Sequence, residues 1–320
     1  MYYLTNISNA EIDLMRYHGT EDVQHFLDTM HLDGFEMLMF SNESIEPIQN
    51  SQVIGVHLPY FSSVVPFWFN DIERLIEEFG SLETAYQYYT ATNKAELIKN
   101  TKSIIERVNV INPEYVVFHV SEVSLKETVS YRFHYSNQKV IDCFLEWING
   151  FIFSLNPNIS FLIENLWWPG FSFTNVQETL YLLNGIHYSN KGIILDIGHL
   201  LHTNTNLTSL DEGLEYIHQC LDKHQKVLQF IKGIHLHQTL SGEFVHRMIA
   251  DEILLEGSYQ EKLYASYRQV MQIDSHRPFL NDGVSTLVQR ISPKYLVYEF
   301  ITESRKQHES FIQSQHKYAR

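Results

Sequence analysis

The residues of this chain best suited to chemistry are acids and histidines that close short apolar runs: Glu36, His57, His119, Glu164, Asp196, His235 and Glu299. Glu164, Asp196, His235 and Glu299 form the leading set. Three carboxylates and an imidazole suit a hard-to-borderline divalent ion: manganese, magnesium, zinc, cobalt or iron. Converging carboxylates repel and raise one another's pKa unless a cation neutralises them. Almost no lysine or arginine adjoins these run ends, so an ion-pair network is the weaker explanation. His57, His119, His199 and His246 make a second tier. His57 and His119, with Glu164 as a bridging carboxylate, are expected to hold a second ion. His199 follows Asp196 through Gly198, and His246 lies in the long segment after His237; both are expected to serve a third ion or to touch substrate.

The segments next to these residues are aromatic and nearly uncharged. Pro59-Tyr60-Phe61 opens a run that reaches Phe67-Trp68-Phe69, and Leu166-Trp167-Trp168-Pro169-Gly170-Phe171 follows Glu164. Aromatic walls suit a ring or the apolar face of a ligand. Tyr60, Trp167, Trp168 and His237 are therefore the expected substrate contacts, and Glu164, Glu299 and His199 the expected catalytic groups. The same aromatics would alternatively pack on one another or against a second copy of the chain.

Such scattered residues meet only if their runs are strands of one barrel. Eight β-rich runs fit: 2–7, 34–39, 53–57, 115–120, 160–164, 192–196, 231–237 and 295–300. Helical spacing covers 70–79, 82–109, 137–155, 209–230 and 253–273, and a polar tail from Ile301 reads as a last helix with a frayed end. Alternating β and α segments predict a parallel sheet. No glycine-rich phosphate turn follows the first strand, which disfavours an open doubly wound sheet. The expectation is a (β/α)8 TIM barrel, residues 1–320 as a single domain with elongated loops, since such barrels take roughly 200–250 residues or more. The carboxyl ends of all its strands share one face.

Composition narrows the partners. With 23 Lys+Arg against 38 Asp+Glu the formal charge is −15, which opposes a polyanion-binding surface and makes nucleic acid a poor partner. At 44% hydrophobic and 19% charged residues the chain buries a large core. Cys143 and Cys220 alone build neither a disulfide framework nor a cysteine metal cluster. No apolar run approaches the about 18–20 residues of a membrane span, and a cytoplasmic location is expected.

The ordered strand ends resemble those of the xylose isomerase-like barrels, also called the AP endonuclease family 2 superfamily, over essentially the whole chain. The matching motifs are Gly34-Phe35-Glu36, His57-Leu58-Pro59-Tyr60, Phe118-His119, Ile163-Glu164-Asn165, Leu195-Asp196-Ile197-Gly198-His199, Gly233-Ile234-His235-Leu236-His237 and Val297-Tyr298-Glu299. The resemblance implies that Glu164, Asp196, His235 and Glu299 are the shared metal tetrad. It also implies matches for His57, His119, His199 and His246 among the further ligands of a trinuclear zinc branch, endonuclease IV. That branch carries an Asp two residues before its last histidine, where this chain has Phe244 before His246. The superfamily contains sugar isomerases, epimerases, dehydratases and nucleases, so membership leaves the reaction open.

The first expectation is a divalent-metal-dependent isomerase or epimerase, or a related lyase, acting on a small sugar-like, polyol or keto substrate. Glu164 and Glu299 would flank the reacting carbon, and His199 and His237 would orient hydroxyls. The alternative is an endonuclease IV-like multi-metal phosphodiesterase, with a multi-iron oxidase or a non-catalytic binding barrel behind it.

Overall fold

The computed structural model describes residues 1–39 and 44–320. Eight parallel strands close a barrel in sequence order: β1 (Tyr2–Ser8), β2 (Gly34–Leu38), β3 (Val53–His57), β4 (Tyr115–His119), β5 (Ser160–Glu164), β6 (Lys191–Asp196), β7 (Ile231–His235) and β8 (Tyr295–Tyr298). The expected strands are all present. Four end one or two residues early, so Glu299 and His237 lie just beyond β8 and β7 rather than within them.

Strand periodicity accounts for the gathering of the polar ends. Leu4, Tyr115, Val117, Leu162, Ile194, Tyr295 and Val297 fill the barrel interior. Side chains alternate faces along a strand, so the residue two further on points the same way. Two beyond Val117, Leu162, Ile194 and Val297 stand His119, Glu164, Asp196 and Glu299. Register does the rest: His119 pairs with Glu164 across β4 and β5, and Asp196 with His235 across β6 and β7.

Gly55 on β3 shows how tightly this interior is filled. A Cβ there would lie 2.3 Å from the Tyr115 ring, so only glycine admits the tyrosine that reaches across to Glu36.

The helices form the outer layer. In Asn137–Phe151 the buried residues Val140, Ile141, Phe144, Trp147, Ile148 and Phe151 follow helical spacing, and Ser136 caps its start by accepting from the Lys139 amide. The single helix expected over 82–109 is two, Leu82–Tyr89 and Lys94–Ile111. Thr90 turns into the left-handed region at φ +51°, and Asn93 caps the second by accepting from the Ala95 and Glu96 amides. The helix expected over 253–273 starts at Tyr259, where Ser258 and Glu261 form a capping box. The last helix expected in the tail from Ile301 is present as Arg305–Ala319, and it runs to the next-to-last residue instead of fraying. Ile312, Gln315 and Ala319 on it are buried, and the Arg320 guanidinium sits 4.5 Å from the Tyr3 ring centre.

The long connections after β4 and β7 carry helices Leu125–Ser130, Gly242–Ala250 and Tyr259–Ile273. Val129, Val245, Met248 and Ile273 join them in one apolar cluster that includes Tyr131, Trp167 and Phe244. This roof meets the barrel mouth through Trp167.

Candidate metal centre

Glu164, Asp196, His235 and Glu299 converge, each offering one donor atom within 4.8 Å of the others. His235 Nδ1 lies 3.1 Å from Glu299 Oε2, 3.2 Å from Glu164 Oε1 and 3.5 Å from Asp196 Oδ2, yet it makes no hydrogen bond. Its other nitrogen is tied back. His235 Nε2 is 2.9 Å from Glu36 Oε1, and Tyr115 donates its hydroxyl to Glu36 Oε2 at 2.6 Å. That arrangement turns Nδ1 toward three carboxylates, a placement that calls for a metal ion or a proton between them. Burial alone would lower the His235 pKa, but Glu299, Glu36 and Glu164 lift it well above the ordinary value. The donors therefore fit a divalent ion.

A second set is His57, His119 and Glu164. His57 donates from Nδ1 to the Leu58 carbonyl at 3.0 Å, which leaves Nε2 facing Glu164 Oε2 at 2.9 Å. His119 Nε2 lies 3.5 Å from the same oxygen. Burial pulls His119 down to about 3, with Glu164 opposing and His57 and His199 adding to the fall, so its imidazole is neutral and available as a ligand. Glu164 belongs to both sets. Its burial raises its pKa, but His119 and His235 with the hydrogen bonds around it hold the carboxylate well below the usual range.

The third set corrects the sequence reading. His246 is absent from it, lying exposed on the Gly242–Ala250 helix with Nε2 3.0 Å from Thr205 Oγ1. Asp274 and His276, missed in the sequence, occupy the place. Asp196, His199, His237 and His276 offer donors within 4.8 Å of one another, and Asp274 Oδ2 is 3.0 Å from His199 Nε2 and 3.5 Å from His276 Nδ1. The chain completes two helices after β7 before it returns to the mouth. Gln238 and Arg277 then pair as an antiparallel bridge and press 274–276 against His237. The signal was an Asp-x-His triplet thirty residues downstream of His246, since 276 − 246 = 30. His276 is held at φ +44°, an unfavourable backbone for histidine that costs about 1–3 kcal/mol and persists only where surroundings enforce it. Burial lowers its pKa, but Asp274 and Glu299 raise it to about 9.

Asp196 anchors the third set to the first. Its Oδ1 accepts from the His199 amide at 2.6 Å as cap of helix Ile197–His202, and its Oδ2 lies 2.8 Å from His237 Nε2. Asn165 fixes it by a reciprocal pair, accepting from the Asp196 amide and donating to its carbonyl, both at 2.9 Å. A Cβ at Gly198 would lie 2.0 Å from the His237 ring, so glycine is required there too. His237, expected as a substrate contact, is thus placed among the donors. No lysine or arginine pairs with Glu164, Asp196, Asp274 or Glu299 among the described residues.

The expected aromatic contacts do border the centre. Tyr60 lies 5.0 Å from the His119 ring and Trp167 5.2 Å from the His199 ring, with the Trp168 ring tilted against Trp167 at 4.6 Å. The Tyr60 hydroxyl and both indole N–H groups are buried without a hydrogen-bond partner. Trp167 also contacts His202, 5.0 Å away; burial pulls that imidazole down to about 4.

No protein-family model matches the chain, and no curated protein matches it in sequence. Solved structures match its fold. A putative xylose isomerase from Rhodospirillum rubrum covers 99% of each chain at TM-score 0.55 and 10% identity. A D-psicose 3-epimerase determined in the presence of D-fructose aligns over 98% of this chain and 90% of its own, at TM-score 0.52 and 10% identity. A 3-keto-D-glucoside 4-epimerase from E. coli aligns over 99% and 98%, at TM-score 0.50 and 12% identity. These structures share with the chain the fold of a closed barrel of eight parallel strands. No helix among the described residues is long and apolar enough to cross a membrane.

Proposed function

We propose that this chain is an enzyme with a multinuclear divalent-metal centre and that it hydrolyses a phosphoester bond in a small substrate. The observation that carries this reading is His276, which with Asp196, His199 and His237 makes a third donor set sharing Asp196 with the first, while Asp274 braces His199 and His276 from beside it. A single ion held by Glu164, Asp196, His235 and Glu299 leaves His57, His119, His199, His237 and His276 outside its donor set. Zinc, manganese, iron, magnesium or cobalt held there would polarise a phosphoryl oxygen and offset charge on the leaving oxygen.

The protein's own groups prepare that site. Glu164 and Asp196 each face two donor sets. Glu36 orients His235, Leu58 orients His57 and Asn165 fixes Asp196. The unpaired donors of Tyr60, Trp167 and Trp168 would bind a substrate's oxygens, and their rings would hold an apolar or aromatic face. The roof over the mouth and the charge of −15 favour a small molecule over duplex nucleic acid.

A second reading, a metal-dependent isomerase, epimerase or lyase on a sugar-like substrate, is favoured by one observation. Glu164 and Glu299 face the same His235 nitrogen from 3.2 and 3.1 Å, so one carboxylate could take a proton beside a carbonyl and the other return it. The epimerase neighbours support this at the level of fold. The two readings separate when metal-loaded protein is given bis(p-nitrophenyl) phosphate and, apart, a panel of ketoses in D2O. Release of p-nitrophenol without deuterium uptake at carbon is the expected result. Deuterium uptake without ester cleavage would replace the first reading by the second.

A further inference from the structure

Outside the three donor sets, the loops after β4, β6 and β7 contribute one hydrogen-bonded chain. The Tyr131 hydroxyl lies 2.6 Å from His202 Nε2, and His202 Nδ1 lies 2.9 Å from Ser241 Oγ. Thr239 donates to the Ile273 carbonyl, and its Oγ1 lies 3.3 Å from Ser241 Oγ. His202 is 4% exposed, and the Trp167 ring that touches it also touches His199 of the third set. Ser241 at the far end lines a cleft of about 260 Å³ with Thr239, Phe244, Arg247, Gln272 and Ser275, and Ser275 sits between Asp274 and His276. Tyr131 occupies the left-handed region at φ +53°, a conformation a tyrosine adopts only where its surroundings hold it. A chain that begins in a polar cleft, crosses a buried imidazole and ends on a phenol packed in one cluster with Trp167, whose ring borders His199, has the form of a proton path.

We infer that Tyr131 is the general acid for the leaving group and that His202 and Ser241 resupply its proton from the cleft. The inference rests on the phosphoester reading above. A neutral imidazole with a partner at each nitrogen has two polarities. In one, Ser241 donates to Nδ1 and Nε2–H donates to the Tyr131 oxygen, which frees the phenolic O–H for a substrate. As the phosphorus–oxygen bond to the leaving group breaks, its electron pair stays on the leaving oxygen, and the Tyr131 proton moves onto that oxygen. The phenolate takes the proton from His202 Nε2, Nδ1 takes one from Ser241 and the serine takes one from water in the cleft. Attack by a second water forms the new phosphorus–oxygen bond and returns one proton to solvent. Burial pushes the Tyr131 hydroxyl upward, so it stays protonated until used.

The test compares leaving groups. Bis(p-nitrophenyl) phosphate expels a phenolate that needs no proton, whereas dibenzyl phosphate expels an alkoxide that does. Tyr131→Phe and His202→Asn should lose about 100-fold or more in kcat on the dibenzyl ester and less than about 3-fold on the p-nitrophenyl ester, with unchanged metal content. A second readout does not depend on turnover. In ¹⁵N-histidine-labelled protein, the His202 tautomer should be biased by Ser241→Ala and by Tyr131→Phe, because each removes one of its two partners. Equal losses on both esters, no loss on either, or a His202 tautomer indifferent to both substitutions would overturn the relay. A wild-type protein that cleaves neither ester would overturn the phosphoester reading and the relay with it.

Discussion

Glu164 carries more of the centre than any other residue, because its two oxygens face His57, His119, His199 and His235 at 2.9 to 3.5 Å. Glu164→Gln removes the shared charge from two donor sets at once. It should lower bound metal by at least one ion per chain and activity by about 10³-fold or more, read by elemental analysis and ester cleavage. Glu36→Gln acts at one remove, by loosening His235. Its expected effect is an about 10–100-fold weaker affinity for metal in a competition with a chelator, with the fold intact. His246→Ala and His276→Ala separate the sequence expectation from the structure. The first should leave metal content and activity unchanged, and the second should lose one ion, as followed by the same metal analysis.

At the scale of elements, the strands owe their precision to interior packing. Gly55→Ala places a methyl group 2.3 Å from Tyr115, so the tyrosine must leave Glu36 or the strand must shift. A loss of about 1–3 kcal/mol in denaturant unfolding is expected. The loops have their own ties. Glu122 after β4 accepts from the Val64 and Val65 amides at 2.6 and 2.9 Å and from Ser63 Oγ at 2.9 Å, so a buried carboxyl caps helix Val65–Trp68 after β3. Burial raises its pKa to about 8, helped by Glu127 and opposed by those three donors. A carboxyl whose folded pKa lies above its unfolded value contributes stability below about pH 4.5 and loses it as pH rises through about 8. Metal-loaded protein should therefore melt at a lower temperature at pH 9 than at pH 6, and Glu122→Gln should flatten that slope.

The strands were legible because an inward-facing polar residue at a barrel mouth breaks an apolar run at a fixed phase, and seven of the eight runs did so in order. The tetrad and the pair His57 and His119 followed from that phase. Asp274 and His276 lie on no strand, so no period marked them, and His246 drew the assignment by being the nearer histidine in the same long segment. The helix break at Thr90 was hidden for a similar reason, since one threonine at φ +51° ends a helix without a glycine or proline to announce it.

In the whole molecule, eight strands bring donors from residue 57 to residue 299 to one end, and the helices after β4 and β7 roof that end. The carboxylates at the mouth contribute to the charge of −15 and are faced there by histidines rather than by lysine or arginine, and the proposed ions would balance the rest. The central claim is that this centre is multinuclear. It is tested most directly by counting the ions. Protein purified without chelator, loaded with zinc or manganese and freed of loose metal should hold about three ions per chain, and His276→Ala about two. One ion in the wild type, unchanged in His276→Ala and in His57→Ala, would contradict the account and return the protein to single-metal isomerase chemistry.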